Sequence, residues 1–388
     1  MNPETTTRAE LLRSASDGAS RVFVTILTRS PISRIEIARA TGLSQAAVTK
    51  AVTPLTVAGL VDAKSTTGRD GSPGRPANPV ALVPDALVIL GVKVNVDEIV
   101  AVATDLATHP IVTERRPLTA HDPQTVVDAI GEICASLTDR LGPMAGRIAG
   151  IGVTVSGDVD TAAGLVRESA LMGWSAVDLK GMLSGIVPWP LIVENDVRAL
   201  TIAEHWFGVG VGTASFAIVT IGRGIGSGLH LNGEVVSGAY GVAGEIGHLP
   251  LADPDRLCVC GRRGCVEAVA STAAIASAVS DAIGREVSIE EAVQLAHDGD
   301  PRAAAAFEAA AAVVGIAIAS LANLTGPELV LIGGEGVSNF DLFDATLRDA
   351  FASHAFGAAV RCPIVVRPHT FEDWARGGAA AAIQSLVR

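Results

Sequence analysis

The chain has 388 residues, 49% of them apolar and only 4% aromatic, with 41 glycines and a net charge of −12. That length exceeds one ordinary domain of roughly 100–200 residues, and the apolar content excludes a disordered or fibrous chain. The charge is unevenly spread, because residues 1–80 carry 10 Lys/Arg against 6 Asp/Glu whereas residues 81–388 carry 19 against 35; a basic end on an acidic protein fits a local phosphate-binding surface, and a plain solvated face has the same look.

Met1 to Ser20 holds Glu4, Arg8, Glu10, Arg13 and Asp17 and no apolar run. No secretory signal is expected there, so the protein is expected to be cytoplasmic and without a membrane partner. Residues 21–61 then show apolar positions at helical spacing in three groups, Val22 to Leu27, Ile35 to Ala38 and Val48 to Leu55, which predicts three short helices. Ser33 and Glu36 form a Ser-x-x-Glu capping box at the start of the second. Thr41-Gly42-Leu43 supplies the turn and Ser44 caps the third, which together make a helix-turn-helix.

A strand over 61–66, a glycine-rich loop from Gly68 to Gly74 and a returning strand over 78–83 complete a wing, so residues 1–83 are expected to be a winged helix-turn-helix domain. In such a domain the second helix of the motif enters the major groove. Ser44, Gln45, Thr49 and Lys50 would then face bases or phosphates of operator DNA. Arg75, in Gly74-Arg75-Pro76 at the end of the loop, would reach into a narrow minor groove. The plainer alternative is a three-helix interaction module with a solvated loop. Because such heads read two half-sites about one helical turn apart, a homodimer is expected.

From residue 84 to 388 the pattern becomes α/β, with apolar strands expected at 88–94, 148–155, 191–193, 216–221 and 329–332. Alternating strands and helices imply a doubly wound architecture in two lobes, about 84–197 plus the carboxyl-terminal helix, and about 198–374. The apolar stretch Ala309 to Leu324 falls short of the roughly 20 residues a membrane span needs and reads as a buried Ala-rich helix.

Three of the five cysteines, Cys258, Cys260 and Cys265, lie close together after His248. One imidazole and three thiolates are the set that a closed tetrahedral zinc site uses, and the glycines of Cys260-Gly261-Arg262-Arg263-Gly264-Cys265 let the loop turn tightly enough to converge on one ion. With four protein ligands no position is open for a catalytic water, so the Zn2+ is expected to be structural; the alternative is free core thiols.

The sequence resembles the ROK family of repressors and sugar kinases from the helix-turn-helix to the carboxyl terminus. The resemblance is carried by Gly244-Glu245-Ile246-Gly247-His248 and by Cys258-Val259-Cys260-Gly261-Arg262-Arg263-Gly264-Cys265-Val266-Glu267. Further matches are Glu194-Asn195-Asp196, the glycine run 222–228, Gly333-Gly334 and Gly173-Trp174, and the Gly74-Arg75-Pro76 wing is similar to that of the family's regulators. It implies a two-lobed actin/hexokinase-like fold, a metal loop over 248–267, and a sugar or sugar-phosphate effector held by Asn195, Asp196, Glu245, His248 and Glu267. Carboxylates and an amide around a cleft pair well with sugar hydroxyls, since an analogue lacking one leaves a buried polar group unpaired. His248 would ligate zinc through one ring nitrogen and face the sugar through the other. The chain departs from the family at Ala170, where an Asn that contacts sugar often stands.

A family kinase would use Asp196 as general base and grip ATP with an Asp-x-Gly-Gly-Thr turn. The turn here reads Lys93-Val94-Asn95-Val96-Asp97-Glu98. Asp97 and Glu98 put negative charge where a polyphosphate would sit, and the glycines are gone. Asp196 is thus a vestigial base at most. Three readings follow: a repressor of carbohydrate genes in which sugar binding between the lobes changes the spacing of the DNA-reading heads, an active sugar kinase with a DNA-binding head, and a regulator whose input is a protein.

Overall fold

In the computed structural model of the chain the described residues are 3–63 and 79–387. They fall into two compact units, Met1–Val211 with Trp374–Arg388, and Gly212–Asp373.

The first unit begins with α1 (Pro3–Arg13), α2 (Asp17–Arg29), α3 (Arg34–Thr41) and α4 (Gln45–Val57). The capping box forms in full: Ser33 Oγ accepts from Glu36 N at 3.2 Å and Ser33 N donates to Glu36 Oε2 at 3.0 Å. Gly42 ends α3 with φ of 70°, a left-handed C-cap that glycine adopts without strain. Ser44 Oγ accepts from Ala47 N at 3.2 Å and opens α4. Val22, Phe23, Ile26, Ile37, Val48, Val52 and Leu55 are buried between these helices. Beside them β3 (Pro79–Leu82) pairs antiparallel with β1 (Ile32–Ser33) and β2 (Val61–Asp62). The wing loop, with Arg75, lies outside the described residues.

Helix α1 has no counterpart in the sequence expectations, because only Thr5, Ala9 and Leu12 are buried, too few to reveal a period. It ties the head to the rest of the unit. Thr5 Oγ1 donates to Gly146 O at 2.8 Å, and Arg8 donates to Ala58 O at 2.8 Å and to Ala86 O at 2.9 Å.

The unit's main sheet runs in the order β11 (Leu191–Asn195), β7 (Ile148–Val155), β4 (Val88–Val94), β5 (Glu98–Thr104), β6 (Pro110–Pro117). The first three are parallel and the last two antiparallel. Every residue of β4 and β7 is buried, which is why they read as unbroken apolar runs. The edge strand β6 instead carries Glu114, Arg115 and Arg116. A smaller antiparallel sheet of β8 (Asp158–Asp160), β9 (Leu165–Ser169) and β10 (Trp174–Val177) follows β7. Helices α5 (Pro123–Leu141) and α6 (Leu179–Ser184) bury Ile130, Ile133, Leu179 and Leu183 in the same core.

Helix α13 (Phe371–Val387) approaches this sheet through glycine: a Cβ on Gly91 would collide with the backbone at Ala375, and one on Gly152 with the backbone at Gly378. We therefore expect Gly152→Ala to lower stability by about 1–3 kcal/mol, the usual cost of overpacking; a denaturant midpoint equal to that of the unaltered protein would contradict this contact. Gly377 likewise lies against the backbone of Ala199 and Leu200 in α7 (Asp196–Phe207). That packing places α7 in the first unit and moves the lobe boundary from the expected 197 to Val211.

The second unit is built on the order β14 (Glu234–Val235), β13 (Ile225–Leu231), β12 (Phe216–Ile221), β15 (Val330–Gly333), β16 (Ile364–Val366). Around it lie α8 (Glu267–Ala270), α9 (Thr272–Ile283), α10 (Ile289–His297), α11 (Pro301–Thr325) and α12 (Asp344–His354). Among the described residues α11 is the one helix long and apolar enough to cross a membrane by length and composition. Its Phe307, Val314, Ile318 and Leu321 are buried in the unit's core, as expected of an Ala-rich core helix.

Candidate functional site

His248, Cys258, Cys260 and Cys265 bring one ligand atom each to within 4.8 Å of one another. The loop that does this is held by Cys258 N donating to Arg262 O at 2.8 Å and Gly264 N donating to Arg256 O at 2.9 Å. Gly261 and Gly264 take φ of 80° and 75°, which residues with a Cβ rarely adopt. The Cys260 and Cys265 sulfurs are 3.8 Å apart, and Cys258 Sγ is 3.8 Å from His248 Nδ1. Two sulfurs at ~2.3 Å from one tetrahedral ion stand about 3.8 Å apart, whereas a disulfide would bring them to ~2 Å. Burial pushes the Cys258 thiol up to about 12, so it ionises only against a compensating cation. The donor set, the spacing and the burial all fit a metal ion.

Glu267 stands beside this cluster at the start of α8. Its Oε1 lies 3.9 Å from Cys258 Sγ and its Oε2 accepts from Ile225 N at 3.0 Å. Glu245 is exposed, and its carbonyl accepts from His248 N at 3.1 Å. Glu245, His248 and Glu267 thus belong to the second unit, and Asn195 and Asp196 to the first.

Asn195 is the N-cap of α7: its Oδ1 accepts from Arg198 N at 3.0 Å and its Nδ2 donates to Gly157 O at 2.9 Å. The preceding Glu194 is buried and accepts from Arg198 Nε at 2.7 Å, from Thr161 Oγ1 at 2.9 Å and from Asn195 N at 2.7 Å. This net fixes the start of α7 and so the direction of Asp196. Asp196 itself is 6% exposed and does not stand open. The ammonium of Lys93, 4% exposed at the end of β4, pairs with its Oδ2. Ser156 donates to the same oxygen at 2.6 Å, and Val197 N donates to Oδ1 at 2.9 Å. Lys93 Nζ also lies 5.6 Å from the centre of the Trp374 ring, within cation–π range.

Burial by itself would raise the Asp196 carboxyl, but the Lys93 charge and hydrogen bond, the Ser156 hydroxyl and the Val197 amide outweigh it and hold the group below its ordinary value. The sequence marks Lys93 as a departure from the Asp of the family's Asp-x-Gly-Gly-Thr turn but gives no sign of its partner, which lies 103 positions away. Glu98 is partly buried and pairs with Arg115 at 3.0 Å. Asp97 is exposed on the turn, and Ala170 is exposed just beyond β9.

On α4, Gln45, Thr49 and Lys50 are exposed, on the surface beside the buried face of Val48, Val52 and Leu55. Thr53 extends that surface by one turn. Ser44 stands at its head as the cap. Among the described residues none of these side chains is buried.

Residues 89–385 match the ROK family. A xylose repressor from Caldicellulosiruptor bescii is 26% identical over 349 residues, spanning 86% of this chain and 87% of its own. The structure of a ROK family transcriptional regulator, a homolog of the Escherichia coli MLC protein, superposes with a TM-score of 0.81 at 26% identity, over 95% of this chain and 96% of its own. A ROK family glucokinase from Streptomyces griseus, solved with glucose and AMPPNP, superposes with a TM-score of 0.66 at 26% identity, over 76% of this chain and 99% of its own.

Proposed function

The chain belongs to the ROK family, and from that premise we propose that it is a sugar-responsive repressor of carbohydrate genes that binds operator DNA and has no kinase activity. The observation that carries the regulator reading is the exposed, capped α4 surface of Gln45, Thr49 and Lys50 on a head tied to the first lobe by Arg8. Ser44, Gln45, Thr49, Lys50 and Arg75 are its DNA contacts. A homodimer presents two such surfaces to two half-sites.

The loss of phosphoryl transfer rests on Lys93. A general base works best with a pKa near the operating pH. Lys93, Ser156 and Val197 N hold the Asp196 carboxyl below its ordinary value, which makes it a poor base, while one lone pair of its Oδ1 can still accept from a sugar hydroxyl. His248, Cys258, Cys260 and Cys265 would hold a zinc ion, which supplies charge compensation for the thiolates and fixes the loop carrying His248 and Glu267. Asn195, Asp196, Glu245, His248 and Glu267 are the proposed sugar contacts, and sugar binding biases the protein between DNA-competent and incompetent states.

Purified protein incubated with fragments of its own genome should enrich a few specific fragments, and one sugar from a panel of sugars and sugar phosphates should release or retain them. Lys50→Ala should weaken that binding and reduce its salt slope by about one phosphate contact. If no fragment is enriched with or without sugar, the regulator reading fails, and ATP-dependent sugar phosphorylation becomes the assay to run.

A further inference from the structure

The β12–β13 hairpin turns through Ile221-Gly222-Arg223-Gly224-Ile225. A glycine-rich tip of this kind leaves backbone N–H groups uncovered by side chains and forms a small concave anion site. Two carboxylates of the protein already stand there. Glu335 Oε1 accepts from Arg223 N at 3.0 Å, and a Cβ placed on Gly222 would collide with the same carboxylate. Glu267 Oε2 accepts from Ile225 N at 3.0 Å and would meet a Cβ on Gly224 at 2.8 Å. Glycine on the tip is therefore what lets both acids lie against the main chain.

Glu335 is delivered by a second glycine cluster, Gly333-Gly334-Glu335-Gly336, at the end of β15. Gly334 takes φ of 97°, and a Cβ on Gly334 or Gly336 would meet the carbonyl of Ile221. Both loops are shaped for this contact, which joins residues 112 positions apart. Glu267 arrives from the other side with its second oxygen beside the metal-ligand thiol of Cys258.

We propose that Glu335 is a specificity-determining residue: its carboxylate fills the anion site of the hairpin tip from within and closes it to phosphate-bearing ligands such as nucleotides and pyrophosphate. A carboxylate on a backbone N–H makes a charge-assisted hydrogen bond of the same kind that a phosphate oxygen makes there. Being part of the chain, Glu335 meets the site at a high effective concentration that a free ligand must exceed. An incoming polyphosphate must displace it and also approach Glu267, so like charge opposes entry twice. Neutral sugars meet no such barrier. The inference rests on the reading of the chain as a regulator without phosphoryl transfer, and adds that the exclusion is built into the second unit independently of Lys93.

The test is calorimetric titration of pyrophosphate, and separately of ATP without magnesium, into the zinc-loaded full chain and its Glu335→Gly and Glu335→Gln variants. Glu335→Gly vacates the site and should bind pyrophosphate at least about tenfold more tightly than the unaltered protein, the ratio that one charge-assisted hydrogen bond represents. Glu335→Gln keeps an acceptor oxygen but loses the charge and should gain less. If the Gly variant fails to fold, the Gln variant still decides the matter through its smaller gain. Unaltered protein that binds pyrophosphate as tightly as a folded variant, or folded variants that gain nothing, would overturn the inference. Operator binding by the unaltered protein is read on the same preparation; its failure would remove the regulator reading while leaving the pyrophosphate result to stand or fall alone.

Discussion

Removing the metal is expected to cost the second unit more stability than any single core substitution. The stretch between His248 and α8 has little regular structure of its own; its backbone is held by a few turn hydrogen bonds and the single bridge of Leu257 with Arg263. Cys258 and Cys265 are buried, and no disulfide joins any of the cysteines, so without an ion only those few backbone hydrogen bonds order the loop's four donors. In small zinc modules the binding free energy of roughly 10–16 kcal/mol is folding free energy. Even a third of that is a large share of a typical stability of about 5–15 kcal/mol. For a unit of this size each kcal/mol moves the melting temperature by about 2–4 °C. Chelator-treated protein should therefore melt roughly 10 °C or more lower than the loaded form, and Cys265→Ser should reproduce the effect without chelator. Elemental analysis should find one zinc per chain. Protein purified without zinc, or chelated protein with an unchanged melting curve, would remove the metal from the account.

What could be read from the sequence was what depends on neighbours along the chain. The runs at 88–94, 148–155 and 216–221 became strands with those bounds because both their faces are buried, and an unbroken apolar run is the direct trace of that. The helix-turn-helix was legible through its caps, Ser33 with Glu36, Gly42 and Ser44, each acting within three residues of its partner. The four metal donors sit within one loop and show their chemistry by spacing alone. The missing pieces are contacts between distant segments. Lys93 looked like a simple loss until Asp196 stood opposite it, and Glu335 carried no signal at all until the hairpin tip folded against it. Helix α1 was hidden because it buries only three residues. The lobe boundary slipped because α7 is held by a glycine of α13, and no local pattern in either helix records the other.

Lys93→Met is expected to destabilise the first unit by about 3–5 kcal/mol, because it strands the buried Asp196 carboxylate without its cation. Asp196→Leu should cost a similar amount by stranding the ammonium under Trp374. A paired replacement, Lys93→Met with Asp196→Leu, removes both charges and should recover most of the loss, since buried ion pairs exchange for apolar pairs of like volume at little net cost. The three melts and that of the unaltered protein form a double-mutant cycle with a large coupling; additive losses would mean that the two groups do not act as a pair. The pH dependence follows from the direction of the Asp196 shift. Its folded value lies below the unfolded carboxyl value of about 3.9, so the pair's contribution is whole above that pH and is lost as pH falls through the lower folded value. The paired apolar variant should therefore lose less stability than the unaltered protein on acidification. It should also stay folded at neutral pH and, lacking Asp196, no longer release operator in response to sugar. A sugar response that survives in this variant would show that Asp196 serves the fold through Lys93 and is not an effector contact.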